Sequence, residues 1–253
     1  MIASLPMYDW PEVREATDAF WQGLSSHIGT SADLFRGGDH MQAWRNPELL
    51  FSQTCGYPFT HEFRGNLTYV ATPHYAAEGC DGPHYSSVII AKTVGKPADF
   101  RGRIVAVNSM DSMSGMLALK LVFAPLAKDG RFFGRSVVTG GHLASLEAVQ
   151  LGKADVCAVD AVCVAMAKRY RPNLMKGLVE IANSPLVAGL PFVTRAGDVE
   201  LLRRGLRQVF DDPALDGIRD SMFLSNYSVI SPAHYDRILQ LESAVENAGG
   251  MQL

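Results

Sequence analysis

Residues 108–115, "NSMDSMSG", place five short polar side chains between the apolar runs "RIVAV" and "MLALKLVFAPL". A polar loop ahead of a helix commonly caps it, a side-chain oxygen accepting from a free N–H of the first turn. One cap meets that need, whereas Ser109, Ser112 and Ser114 supply three hydroxyls. Gly115 permits close approach at the first turn. With the unpaired N–H groups and the positive end of the helix dipole, these hydroxyls would make a neutral site for a phosphate-like anion. Capping alone and anion binding both remain open, and Asp111 opposes an anion unless it turns away or caps the helix itself.

A second polar set lies in "VTGGHLASLEAVQLGKADVCAVDAV", residues 138–162. One strand ends at Thr139, Gly140 and Gly141, His142 opens a helix, and a second strand ends at Asp160. These tips fall at the carboxyl ends of strands, where open α/β sheets hold ligands. The plainer readings are a helix-start histidine held by its own backbone and an aspartate capping the following helix. In "TPHYAAEGCDGPHY", His74, Glu78, Cys80, Asp81 and His84 cluster without any zinc spacing, so an ordered loop with Tyr75 and Tyr85 lining a cleft is expected rather than a metal site. "FSQTCGYPF" brings Gln53, Thr54 and Cys55 to a strand end, but nothing local pairs a base with Cys55. No nucleophile elbow, Walker loop or dinucleotide fingerprint is present.

These groups need a scaffold, and the totals allow a large one. The chain has 253 residues, 47% hydrophobic and 19% charged, with a net charge of −3. That is long enough for two lobes and ordinary for a folded protein. No block of Lys or Arg marks a nucleic-acid or anionic-lipid surface. No window nears the roughly 18 apolar residues of a membrane span, so direct membrane insertion is not expected. Four cysteines without a CxxC fit free thiols, and Cys157 reads as packing. The segment "MIASLPMYDWPEV" lacks a positive n-region and a long apolar core, so it does not read as a secretion signal.

From Arg103 onward, "RIVAV", "RSVVT", "DVCAV" and "LVEIA" alternate with helix-period segments. This βαβ rhythm predicts a parallel sheet covered by helices on both faces. Earlier, Val13, Ala16, Phe20, Leu24 and Ile28 define one face of a helix from Pro11. Strands are expected at "IASLPM", "LLFSQT", "LTYVAT", "SSVIIAK" and "LPFVT", and helices over 198–210, from Pro213, and around "HYDRILQLESAV". No flexible linker is visible. The chain therefore reads as α/β, with two Rossmann-like lobes joined by hinge strands at "SSVIIAKTV" and "SPLVAGLPFV". Residues 1–88 and 192–253 would form lobe 1, residues 89–191 lobe 2, with a ligand cleft between them.

With those residues in place, the chain resembles the phosphate/phosphonate ABC-transporter substrate-binding family, which has the type 2 periplasmic-binding-protein fold. The likeness rests on "SQTCGYP", "TPHYAAEGC", "VNSMDSMSG" and "GGHLASLEAVQLGKADVCAVD", and covers about residues 2–195. It implies a receptor that closes on a small oxyanion, gripped by Ser109, Ser112, Ser114 and the Gly115 amide. His142 and Asp160 would complete the second lobe's face, with Tyr8, Gln53, Thr54 and Tyr85 coming from the first lobe or hinge. Leu143 follows His142 where relatives often carry an acidic residue, which implies a ligand without an amine, or one that is not a phosphonate.

The leading expectation is a solute-binding protein for phosphate, phosphite or a phosphonate, with no cofactor, metal or catalytic residue. Its partner would be an ABC-transporter membrane component, and nucleic acid is excluded. The alternatives are a cytosolic enzyme of the same fold acting on a small carboxylated substrate, with His142, Asp160 or His74 as acid or base, and a cytosolic ligand sensor. The chain would be periplasmic or extracytoplasmic if a leader is removed, and otherwise cytoplasmic.

Overall fold

The computed structural model describes all 253 residues, in two compact units. The strands are β1 (Ile2–Ser4), β2 (Leu49–Gln53), β3 (Thr68–Tyr75), β4 (Cys80–Asp81), β5 (His84–Tyr85), β6 (Ser87–Ala91) and β7 (Ile104–Val107). They continue with β8 (Arg135–Val138), β9 (Val156–Asp160), β10 (Val179–Asn183), β11 (Val187–Ala188), β12 (Phe192–Thr194) and β13 (Leu224–Ser228). The helices are α1 (Arg14–Ile28), α2 (His40–Arg45), α3 (Gly56–Thr60), α4 (Ala118–Phe123) and α5 (His142–Gln150). After them come α6 (Ala161–Tyr170), α7 (Pro172–Met175), α8 (Val199–Asp211), α9 (Asp216–Ser221) and α10 (Asp236–Asn247). No helix is long and apolar enough to cross a membrane.

The first unit comprises Met1–Ala76 and Ala188–Pro232. Its sheet has the order β1-β2-β12-β3-β13. β1 pairs parallel with β2, while β12 runs antiparallel to both β2 and β3, and β13 antiparallel to β3. Pro11 opens a short 3-10 turn that leads into α1, because its fixed φ suits a first turn and its missing N–H is not needed there. α1 ends at Gly29, whose φ of 69° lies in the left-handed region. Its buried face carries Ala16, Phe20, Trp21 and Leu24, and Phe20, Trp21 and Leu24 join Phe51, Phe192, Leu202, Leu206 and Val209 in one core. Each such large apolar side chain contributes roughly 1.5–3 kcal/mol on burial. Gly205 lets α8 approach α1, since a Cβ there would come within 2.7 Å of Ile28 Cγ2 and 2.9 Å of Leu24 Cδ1.

The second unit comprises Ala77–Val187 and Ala233–Leu253. Its sheet has the order β10-β6-β9-β7-β8. β7 pairs parallel with β8 and β9, whereas β6 is antiparallel to β9 and to β10. The four strands expected to be parallel, β7, β8, β9 and β10, do run in one direction, and β6, expected as a hinge crossing, enters the sheet between β10 and β9 and runs against them. The ladder to β9 covers all of "SVIIA" and the ladder to β10 covers Val88–Ala91, and all five residues are buried, as a central strand requires.

The division differs from the expected lobes in three places, the smallest being residues 188–191, which fall in the first unit rather than the second. Residues 77–88 belong to the second unit, because Ser87 and Val88 pair with Asp160 and Val159 in its sheet. "SSVIIAK" is therefore a strand inside that sheet, and the chain crosses before it, at 76–77. The end of the chain also returns to the second unit. There Ile238, Leu241, Val245 and Met251 are buried, Lys120 lies 3.6 Å from Glu246, and the Gln252 N–H donates to the Gly130 carbonyl at 2.9 Å. Helical periodicity around "HYDRILQLESAV" showed the apolar face without showing which core would receive it.

Candidate functional site

β7 delivers the chain to Asn108, and Ser112 caps the helix that follows with φ −104° and ψ 129°. The Ser112 Oγ accepts from the Gly115 N–H at 3.0 Å and from Asn108 Nδ2 at 3.0 Å. The first turn, Met113–Leu117, is a π turn: the Leu117 N–H reaches back to the Ser112 carbonyl at 3.0 Å, and Ala118 caps onto Met113. Such wider winding is frequent at functional sites, and as at any helix start the first N–H groups, those of Met113 and Ser114, have no backbone acceptor. α4 then continues the axis, so the dipole's positive end coincides with those two amides.

The Ser114 Oγ lies 2.8 Å from His142 Nε2 and 3.5 Å from the Ser112 Oγ. His142 is the first residue of α5, placed there by the turn after β8. The Gly140 N–H donates to the Asn108 carbonyl at 2.9 Å, and the Thr139 hydroxyl lies 2.7 Å from the Ser145 hydroxyl. Burial pushes the imidazole down to about 4, the Ala158 carbonyl acting in the opposite sense, so the ring is neutral near pH 7. Nδ1 makes no hydrogen bond of ordinary geometry, although that carbonyl is near enough to favour a proton on the ring.

Not every expected residue joins this group. The half-buried Ser109 turns its hydroxyl to the Asp111 carboxylate instead. Asp160 is buried, and its Oδ1 accepts from the Val162 N–H at 2.7 Å and the Cys163 N–H at 3.4 Å, which makes it the cap of α6. Tyr85 is buried on β5, and it belongs to the second unit rather than to lobe 1. Gly115 sits where expected, for a reason the sequence did not show: a Cβ there would overlap the Asn108 amide. Asn108 is the residue that the reading of the hydroxyls missed. Its only sequence signal is its place at the end of an apolar strand, seven positions ahead of a helical glycine.

The first unit gathers a separate set. The buried Gln53, at the end of β2, donates through Nε2 to the Tyr75 hydroxyl at 2.9 Å and to the Leu190 carbonyl at 3.1 Å. The Tyr8 ring packs edge-on against Tyr75 with centroids 5.0 Å apart. Both tyrosines and Gln53 line one small hollow with Leu5, Phe20 and Phe192. Thr54 is buried beside them, its N–H donating to the Pro191 carbonyl at 3.1 Å.

No three His, Cys, Asp or Glu side chains come together to hold a metal ion. The metal-like cluster of the sequence is dispersed: His74 Nε2 pairs with the Ser228 hydroxyl at 2.8 Å, and Glu78 lies 3.7 Å from Lys168. Cys80 is pushed up to about 12 by burial and by the nearby Asp160, and burial also raises Cys157 and Cys163. Such thiols stay protonated and are poor nucleophiles.

Two α/β units, each with a mixed sheet of parallel and antiparallel pairs and polar strand ends, define a protein of the periplasmic-binding-protein class. More narrowly, the chain belongs to the family described as ABC transporter, phosphonate, periplasmic substrate-binding protein, whose model matches residues 2–235. That membership makes it a solute-binding receptor. No curated protein matches the chain. Among solved structures, it is similar to a binding-protein component of an ABC phosphonate transporter from Pseudomonas aeruginosa. The TM-score is 0.77 and the identity 18%, over 98% of this chain and 87% of that one. It is also similar to PhnD1 from Prochlorococcus marinus, solved with methylphosphonate, with a TM-score of 0.76 and 13% identity over 97% of each chain. A Xanthomonas citri protein solved with ATP gives a TM-score of 0.70 at 14% identity, over 98% and 97%. At these identities the likeness speaks for the fold.

Proposed function

We propose that this protein is the extracytoplasmic receptor of an ABC transporter and captures a small oxyanion of the phosphate, phosphite or phosphonate class. The start of the helix at Ser112 would hold it. The observation that carries this reading is the pair of N–H groups on Met113 and Ser114, left without backbone acceptors beside the Ser112 and Ser114 hydroxyls. Oriented amides and hydroxyls can stabilise a negative ligand without a lysine, because their dipoles are fixed before it arrives. The neutral His142 adds no charge to the lining. PhnD1, with the same fold, was solved with methylphosphonate, which supports an oxyanion of that size.

His142 belongs to the site through Ser114, and Tyr8, Gln53, Thr54 and Tyr85 are proposed as further contacts. Ser109 and Asp160 are the weaker candidates, since each already serves a neighbouring group of its own chain. The membrane component of the transporter would receive the loaded receptor.

A thermal-shift panel of phosphate, phosphite, methylphosphonate, sulfate and dicarboxylates tests this. A ligand that binds only the folded chain raises Tm, by a stabilisation of about 2.7 kcal/mol at 100 times its Kd. Ser112→Ala combined with Ser114→Ala should abolish the shift and leave the circular dichroism unchanged. Retained binding in that variant removes the helix start from the site, and stabilisation by aromatic carboxylates alone would favour an enzyme of the same fold.

A further inference from the structure

We infer that His84 and His234 form a site in the second unit for a divalent transition metal ion of the zinc class, using none of the residues of the proposed oxyanion site. In sequence, His84 belongs to a metal-like cluster that the fold disperses. Its ring partner, His234, comes from the far end of the chain.

His84 lies on β5, and Gly82, with φ 51°, turns the chain back from β4 so that Asp81 and His84 stand directly opposite each other. Opposite residues of an antiparallel pair share a face, with Cβ atoms about 4.5–5.5 Å apart. His234 belongs to the 3-10 turn Pro232–Tyr235 and is exposed. Its ring centre is 6.0 Å from that of His84, with the two planes at 40°. Both histidines and Asp81 belong to the same unit. Neither imidazole, nor the Asp81 carboxylate, is engaged in a hydrogen bond or ion pair within the chain.

Neutral imidazole is a ligand for Zn²⁺, Ni²⁺ and Cu²⁺ rather than for Mg²⁺ or Ca²⁺. A Zn–N bond of about 2.0–2.1 Å puts the ion about 3.2 Å from each ring centre, so two rings at the tetrahedral angle have centres about 5.2 Å apart. The pair stands within about 1 Å of that spacing, and rotation of the exposed His234 side chain closes the gap. Asp81 does not complete a triad, but its charge on the same face attracts a cation, and water takes the remaining positions. The ion would join the two segments by which the chain leaves and re-enters the unit. β5 neighbours β11, which spans the exit at Val187–Ala188, and His234 follows the re-entry at Ala233.

The test is calorimetry of the untagged chain with Zn²⁺, with Mg²⁺ as the comparison, followed by amide hydrogen exchange with and without Zn²⁺. A single Zn²⁺ should bind at this site, Mg²⁺ should give no heat, and slowed exchange should be confined to residues 80–85 and 232–236. His84→Ala and His234→Ala should each lower Zn²⁺ affinity at least about tenfold, since even an outer partner of a bound metal is worth about that much. The His234 side chain is exposed, so its variant should fold as the parent does, which circular dichroism checks. Absence of Zn²⁺ binding, equal affinity in either histidine variant, heat with Mg²⁺ as strong as with Zn²⁺, or slowed exchange elsewhere in the chain overturns the site.

Discussion

The amide of Asn108 occupies the space in which any residue but glycine at position 115 would carry its Cβ. The same amide donates to the Ser112 Oγ, and Ser112 in turn accepts the Gly115 N–H. Asn108, Ser112 and Gly115 thus fix one another, and through them the π turn and its two unpaired amides.

Gly115→Ala should therefore do more than restrict the backbone. The added methyl forces Asn108 away and releases the cap, a cost of roughly 1–3 kcal/mol for overpacking plus about 1 kcal/mol for the cap. Urea unfolding should show a lower midpoint, and any ligand-induced rise in Tm should be lost. An unchanged midpoint would mean that Asn108 is not held as the structure places it.

His142 gives the fold a defined acid sensitivity. Its folded value of about 4 lies below the ordinary 6.5, so the unfolded chain binds its proton first as pH falls. Stability from this group is full above pH 6.5 and is lost between there and about pH 4, with a total of roughly 3 kcal/mol. Denaturant midpoints measured across that window should drop with acid, and the slope should flatten in His142→Gln. An equal slope in both proteins would show that the imidazole is not buried in its neutral form.

Asp160→Ala removes the side chain that caps α6 through Val162 and Cys163. A loss of about 1–2 kcal/mol is expected. Asp160→Asn keeps an oxygen for the same amides and should recover most of it. If both variants lose the same stability, the carboxylate's charge rather than its cap matters.

Tyr75→Phe deletes the hydroxyl that receives Gln53 Nε2, while the Leu190 carbonyl still accepts from that nitrogen. Because Gln53 keeps one partner, the cost should be near 1 kcal/mol, read as a small fall in Tm. A loss of several kcal/mol would reveal a larger network around Tyr75.

Much of this molecule follows from local pattern. The period of Ala16, Phe20 and Leu24 specifies α1, β-branched runs specify β7, β8 and β9, and serines before a glycine mark a capped helix start, since each signal depends on residues a few positions apart. Those same motifs carry the family likeness, and the family model matches over residues 2–235. Strand direction and unit membership were not legible. β6 reads like any buried strand, and its antiparallel place between β9 and β10 depends on where the chain has come from. α10 shows an apolar face, but the core that covers it is built from residues far earlier in the chain. The division of labour among the polar groups was likewise decided in three dimensions. Three serines look alike in sequence, yet one bonds Asp111, one caps the helix and one meets His142. A hydroxyl's role is set by the partners that fill its lone pairs, and only packing of the strand ends and helix starts brings those partners within reach.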